Sequence, residues 1–374
     1  MTVRLELALF FLRLGFTAFG GPAAHISLME QEAVRRRKWL THEEFLDLLG
    51  ATNLVPGPNS TQMAMCIGYR QAGWLGLVLG GACFIVPAAL LTGVLAWVYV
   101  RYGHLPQVQG FLYGVKPIVL AVVFQAIWGL CRSAFKTRPL FVLALAALAM
   151  SVLGFHPVIA LLGTGLLHVL VTHFPGGGQG KTLASGWWFA LPMGVSGIPA
   201  AGLAGIFFFF LKIGSILYGS GYVLLAFLQA DLVDRWHWLT RTQLLDAVAA
   251  GQITPGPVFT TATFIGYVLG GWSGAVLATV GIFLPSFLFV ALLGLFIVKL
   301  RGSKATAAFL DGVNVGALAL MAQVSWQLGG SALVDAWTIL IGLAGAFLLV
   351  RFRPNPTWLI LGGGAVGVVL QLAA

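Results

Sequence analysis

Apolar residues in this chain come in long blocks and do not follow the alternation or one-sided stripe of a soluble fold. The blocks Leu75–Val100, Ile118–Leu130, Leu140–Leu153, Val158–Val171, Ala275–Val298 and Val313–Val324 are nearly free of charge. A helix needs about 20 mostly apolar residues to cross the hydrocarbon core of a bilayer. Several blocks fall short of that, so tilt or flanking residues must complete the span. The pattern predicts an all-α polytopic membrane protein. Composition agrees: 59% of the 374 residues are hydrophobic and 9% are charged, against roughly 25% charged in soluble domains. The 49 glycines fit helices that pack closely or break. The first apolar stretch, Leu5–Phe19, contains Arg13 and ends in Gly-Gly-Pro. It reads as a membrane segment and not as a cleaved leader.

The blocks repeat. Phe11-Leu12-Arg13-Leu14-Gly15 returns as Phe210-Leu211-Lys212-Ile213-Gly214, Trp39-Leu40-Thr41 as Trp238-Leu239-Thr240, Asp47 as Asp246, and Pro56-Gly57-Pro58 as Pro255-Gly256-Pro257, all 199 positions apart. One residue then drops out, and Ile67-Gly68-Tyr69, Trp74 and Pro87 recur as Ile265-Gly266-Tyr267, Trp272 and Pro285, 198 positions apart. Two homologous halves are expected, residues 1–173 and 189–374, joined by a Gly-rich linker over 174–188.

Charge then sets orientation. The net charge is +10, and the basic residues sit mostly between apolar blocks, which argues for cytoplasmic loops and against nucleic acid as a partner. Arg35-Arg36-Arg37-Lys38 face Asp234-Arg235-Trp236-His237 in the second half, and Arg132, Lys136 and Arg138 face a loop around 330–336 whose one charge is Asp335. Lys299, Arg301, Lys304, Arg351 and Arg353 have weakly basic counterparts in the first. The halves are therefore expected to lie in opposite orientations, an inverted repeat of about ten crossings plus broken or re-entrant Pro-Gly-Pro segments. Whether Leu5–Phe19 crosses fully stays open.

Candidate chemistry follows from the breaks. Two prolines and a glycine cannot continue a helix. The helix that begins after them presents free backbone N–H groups, a natural anion site, and irregular backbone at membrane depth survives only when buried in protein or lining a cavity. The candidate substrate-binding residues are Pro56, Gly57, Pro58, Asn59, Ser60 and Thr61 in one half and Thr254, Pro255, Gly256, Pro257, Thr260 and Thr261 in the other. A kinked packing helix with capping hydroxyls is the alternative. Arg13 and Lys212 are duplicated cations inside membrane segments, where a charge is costly unless it faces a cavity or a partner. They could converge on an anion or be paired with carboxylates. Gly20 and Gly21 would admit close approach of a ligand or of another helix. Asp47, Asp246 and His25 are the coupling or ion-pair candidates. A salt bridge from an aspartate to Arg13 or Lys212 is favoured over proton transfer. The three cysteines have no metal-ligand spacing, and neither a metal, a cofactor nor a catalytic constellation is expected.

These motifs in combination resemble the chromate ion transporter family, long-chain two-domain type. Phe19-Gly20-Gly21-Pro22-Ala23-Ala24-His25-Ile26, Glu32 with Arg36 and Trp39-Leu40, Phe45-Leu46-Asp47, Leu54-Val55-Pro56-Gly57-Pro58 and Ile67-Gly68-Tyr69 carry the resemblance, with Thr254-Pro255-Gly256-Pro257 and Ile265-Gly266-Tyr267 in the second copy. It implies export of chromate, a tetrahedral oxodianion, from the bacterial cytoplasm across the inner membrane. The mechanism would be alternating access driven by the membrane potential, by protons or by both. A carrier of sulfate or another oxyanion and an anion channel remain as alternatives, and a homodimer stays open. The second half lacks Gly-Gly-Pro, His25 and Asn59, so the two half-sites are not expected to be equivalent.

Overall fold

A computed structural model describes residues 3–173, 202–218, 221–300 and 304–373. The expected linker at 174–188 lies outside them, as do Gly219, Ser220 and Arg301. The described residues are helical, and five helices among them are long and apolar enough to span a bilayer. The chain is a multi-pass membrane protein built as two halves.

Each half opens with a helix that turns back. α1 (Val3–Thr17) runs into the bend at Gly20-Gly21, and α2 (Gly21–Glu30) returns and ends in a π-helical turn, Gln31–Arg36. The return is fixed by Arg37, which bonds to Glu6 at the start of α1 and stacks on Phe10 and Trp39 at 5.5 and 5.0 Å. The first helix therefore enters and leaves by one face. α3 (His42–Thr52) starts at a capping box between Thr41 and Glu44, descends to Pro56-Gly57-Pro58, and is followed by α4 (Asn59–Tyr102). α4 is two arms, 59–71 and 74–102, folded on Gly73 (φ 61°). Near-contacts of Gly68 with the Gly76 carbonyl and of Gly80 with the Ala64 carbonyl make the arms an antiparallel hairpin with room for no side chain between them. Arg70 pairs with Glu44 at 2.8 Å and Gln71 donates to the Trp39 carbonyl at 3.0 Å. This second segment is thus re-entrant too, as its loop charges require. α5 (Pro106–Ala134), α6 (Arg138–Val152) and α7 (Pro157–His173) complete the half.

The second half repeats the plan. α8 (Leu203–Ile216) and α9 (Leu224–Leu228) with its π-turn Gln229–Arg235 match α1 and α2. α10 (Arg241–Ile253), capped by Thr240 and Gln243, matches α3. α11 (Thr261–Leu300) bends at Gly271 (φ 59°), 198 positions beyond Gly73. α12 (Lys304–Ala332), α13 (Ala336–Phe352) and α14 (Pro356–Ala373) match α5 to α7.

The halves interlock. Within each half the first helix docks on the long bent one, Gly15 of α1 on the backbone of Phe84 and Gly214 of α8 on that of Ile282, and the halves then join through the other helices. α5 docks on α14 of the other half through Gly110, Gly114, Gly363 and Gly367, while α12 docks on α7 through Gly312 and Gly316. Between apolar helices in lipid there is little hydrophobic drive, so close backbone approach at glycine supplies the dispersion contact that holds them. The large exposed side chains, among them Trp128, Trp272, Trp326 and Leu343, form the outward surface such a protein shows to acyl chains.

Candidate anion site at the re-entrant tips

The four re-entrant tips meet, and they meet crosswise. The N–H of Gly57 donates to the carbonyl of Leu217 at the end of α8 (2.8 Å), and the N–H of Gly256 donates to the carbonyl of Ala18 at the end of α1 (2.9 Å). Each Pro-Gly-Pro is thus anchored on the opposite half. Both glycines have φ in the left-handed region, 123° and 88°. A Cβ on Gly57 would collide with Ser286 Oγ and Gln62 Nε2, and one on Gly256 would lie 2.6 Å from Ala88 Cβ. Only glycine fits either place.

The two tips differ in how their polar groups are satisfied. At the second-half tip Thr92 Oγ1, from α4 of the first half, sits 3.2 Å from both Thr254 Oγ1 and Thr260 Oγ1. The hydroxyls of Thr92, Thr254, Thr260 and Thr261 donate to the carbonyls of Ala88, Ala250, Pro257 and Val258 at 2.8 to 3.0 Å. Every hydroxyl there is spent on the protein. In the first half Gln62 Nε2 donates to the Pro56 carbonyl at 2.7 Å. Thr61 Oγ1, Gln62 Oε1 and Ser286 Oγ, all fully buried, have no protein partner. A buried polar group left unsatisfied costs about 1–3 kcal/mol, so these three, beside the N-terminus of the 59–71 arm, mark a place where a water or a ligand would be held. Pro58 provides no side-chain cap for that arm, and Asn59, half-buried, donates to the exposed Asn53.

Other expected residues fall elsewhere. Lys212 is paired with Asp231 at 3.1 Å, and Asp231 also takes His156 at 3.1 Å and Arg235 at 4.0 Å. Of the two roles open to Lys212, the structure shows the ion pair, with a buried carboxylate on the returning segment of its own hairpin. Asp231 occupies the position of Glu32, which in the first half binds Arg36 and Arg37 at 2.8 and 3.0 Å. Arg13 lies on the exposed face of α1 beside Leu9, Leu12 and Phe16, away from the face that packs on α4, and among the described residues it has no carboxylate partner. The two cations therefore do not share one environment. Asp246 pairs with Lys116 of α5 at 3.4 Å and accepts from Tyr99 at 3.1 Å; it does not pair with Lys212. Asp47 lies on an exposed face of α3. His25 is fully buried, and its Nε2 lies 3.1 Å from the same Ala18 carbonyl that accepts from Gly256. It thus stands beside a tip, and among the described residues it makes no ion pair. Gly20 and Gly21 (φ 105° and 76°) form the α1–α2 bend, and a Cβ at Gly20 would lie 3.2 Å from Ala24.

Sequence reasoning passed over Ser286 and Lys116. Ser286 directly follows Pro285, the repeat of Pro87, and its counterpart is Ala88, so the hydroxyl is an asymmetry that an aligned repeat exposes. Lys116 stands at the edge of the Ile118–Leu130 block, where a run counted from its first uncharged residue excludes it.

The chain matches the chromate transporter family twice, over residues 5–169 and 204–368. The chain belongs to that family. Among relatives, it is 33% identical to the chromate transport protein of Cupriavidus metallidurans over 97% of this chain and 92% of that one. It is 32% identical to a probable chromate transport protein of Synechococcus elongatus over 97% and 95%, and 31% identical to the chromate transport protein of Pseudomonas aeruginosa over 96% and 90%. No solved structure matches. For a member of the chromate transporter family the crosswise tips carry a direct meaning. The two matched segments are the two halves described above, and the tips where they cross carry buried polar atoms without a protein partner at Thr61, Gln62 and Ser286.

Proposed function

We propose that the protein exports chromate from the cytoplasm by alternating access, binding the oxodianion at the first-half tip. Backbone N–H groups at the start of the 59–71 arm, with the hydroxyls of Thr61 and Ser286, would receive it. The observation that supports this reading is the pair of buried hydroxyls, Thr61 Oγ1 and Ser286 Oγ, that no protein atom satisfies. Hydroxyls and backbone amides are donors suited to a tetrahedral oxyanion, and a helix N-terminus favours negative charge. The chromate named for the relatives is such an ion.

Alternating access draws support from an inequality between equivalent helices. α10 is buried without interruption from Leu244 to Gln252. On α3 Glu43, Leu46, Asp47, Gly50 and then Asn53 are exposed, and only Phe45, Ala51 and Thr52 are buried. A stripe bearing Asp47 and Asn53 is unsuited to lipid and suited to water. Two copies of one unit, one sealed and one open toward the basic loops, would make an inward-facing arrangement. Exchange of the two conformations would give the outward-facing one. The membrane potential favours expulsion of an anion by about 2.3 kcal/mol per charge per 100 mV, hence about 4.6 kcal/mol for a dianion. The unit boundaries 1–173 and 189–374 with a linker at 174–188, and a bacterial inner-membrane location, belong to the same proposal.

The test is chromate flux in liposomes under imposed voltage and pH gradients, with sulfate as competitor and Thr61→Val and Ser286→Ala as comparison proteins. Saturable chromate flux, weakened in both variants, is the expected result. Robust sulfate flux without chromate flux would keep the site and replace the substrate. Non-saturating flux at every concentration would make the protein a channel.

A further inference from the structure

A cavity of about 780 Å³ opens on the face opposite the basic loops, between the end of α4, the start of α5, the start of α10 and the α12–α13 turn. It lies apart from the tips. Lys116 and Asp246 stand in its wall, with Tyr99, Gln109, Thr242 and Gln243 among the other polar groups around them. We propose that Lys116 is the cation of a second anion station, one that receives a small oxodianion on the side opposite the basic loops, and that Asp246 occupies Lys116 while α10 is sealed. This rests on the reading of the chain as an oxyanion carrier.

Four observations lead there. The lining is a donor surface: Lys116 and His104, with amides and hydroxyls, against a single carboxylate, Asp246. Asp335, just outside the lining, is engaged by Tyr113 at 2.6 Å and by its own cap on Thr338. Second, the ion pair is loose. Lys116 Nζ stands 3.4 Å from Asp246 Oδ1, which has no hydrogen bond, although the lysine side chain is only 16% exposed and the aspartate 3%. A tight charge-assisted contact is about 2.7–2.9 Å. A lysine held at the longer distance keeps donor capacity for an incoming anion.

Third, the pair sits on the seal. Asp246 belongs to the stretch of α10 that is buried from Leu244 to Gln252, Tyr99 to α4 and Lys116 to α5. The three side chains tie α10 to both neighbours. An anion that took Lys116 from Asp246 would remove one of those ties, so arrival at the station and opening of the seal are linked. Fourth, the station is one-sided. The position equivalent to Lys116 in the second half is Asn314, so the repeat does not place a lysine at the matching point near the basic face.

The experiment is chromate binding to the full-length protein in lipid nanodiscs, by equilibrium dialysis, for the wild type and for Asp246→Asn, Lys116→Gln and the double variant. Asp246→Asn frees Lys116 and is expected to tighten binding about tenfold, a gain the double variant loses. In Lys116→Cys in proteoliposomes, an impermeant cationic methanethiosulfonate added on the vestibule side restores the charge and is expected to restore chromate flux. Wild type treated in the same way controls for Cys66, Cys83 and Cys131. A gain that survives Lys116→Gln overturns the inference, and so does a Thr61-sensitive chromate site that Asp246→Asn leaves unchanged. The second result leaves the transport reading standing. No chromate or sulfate bound by any protein overturns the transport reading, and the station with it.

Discussion

Gly256 donates its N–H to the carbonyl of Ala18 at 2.9 Å, and the same carbonyl faces His25 Nε2 at 3.1 Å. One oxygen at the end of α1 therefore holds the Pro-Gly-Pro of the other half and the return strand of its own. The symmetric carbonyl, Leu217, accepts from Gly57 at 2.8 Å, but the residue equivalent to His25 is Leu224. His25→Leu gives the first half the second half's chemistry. It is expected to lower thermal stability by about 1 kcal/mol and to slow flux, while His25→Gln, which keeps a donor, recovers part of both. Melting in detergent alongside liposome flux reads the two effects.

The glycines of the two breaks are fixed by backbone and space together. Gly256→Ala places a Cβ 2.6 Å from Ala88 Cβ at φ 88°. The left-handed conformation alone costs about 1–2 kcal/mol in a residue with a Cβ, and the clash adds to it. Adding Ala88→Gly relieves the clash and not the dihedral. The double variant is therefore expected to melt between Gly256→Ala and wild type. Equal melting of the single and double variants would show that the collision is not felt.

The hydroxyls of the two tips should separate affinity from stability. Thr260→Val breaks a satisfied buried network around Thr92 and is expected to cost about 1 kcal/mol of stability with little change in chromate affinity. Thr61→Val removes a group with no protein partner. It is expected to leave melting unchanged or raised and to weaken chromate binding about tenfold. Binding isotherms and melting curves on both variants check the pair of outcomes.

Asp231 is the hub for Lys212, His156 and Arg235. Asp231→Asn leaves Lys212 uncompensated. Because the lysine side chain is 23% exposed, the loss should fall below the fully buried case, at about 2–3 kcal/mol. The double variant with Lys212→Met is expected to recover most of it. If Lys212 instead served the anion, the double variant would be stable and unable to bind chromate.

Glu32, at the membrane edge of the first half, feels burial, which raises its pKa. The hydrogen bonds and charges of Arg36 and Arg37 outweigh that and hold it below the ordinary carboxylate value. A carboxyl depressed in the folded state stabilises fully above its unfolded pKa, and that contribution disappears as pH falls through the folded value. Acidification below the usual carboxylate range should therefore lower the melting temperature of wild type more than that of Glu32→Gln. Melting scans from neutral to acid pH on both proteins compare the slopes.

The sequence by itself determined the membrane class, the duplication and the opposed halves, because apolar length, residue spacing and loop charge are properties of the chain read in order. It also marked the Pro-Gly-Pro breaks, since proline and glycine forbid a continuous helix wherever they fall. The tertiary structure decided what those breaks touch. That Gly57 meets Leu217 and Gly256 meets Ala18 depends on how two units cross, and nothing local in either segment encodes its partner. The ion pairs were out of reach for the same reason. Lys212 and Asp231 are 19 residues apart and become neighbours only because α8 turns back, and Lys116 reaches Asp246 across the two halves. Equal residue types at Thr61 and Thr260 hid unequal roles, because whether a hydroxyl is free for a ligand is set by its neighbours in space: Thr92 stands beside Thr260, and no protein partner stands beside Thr61.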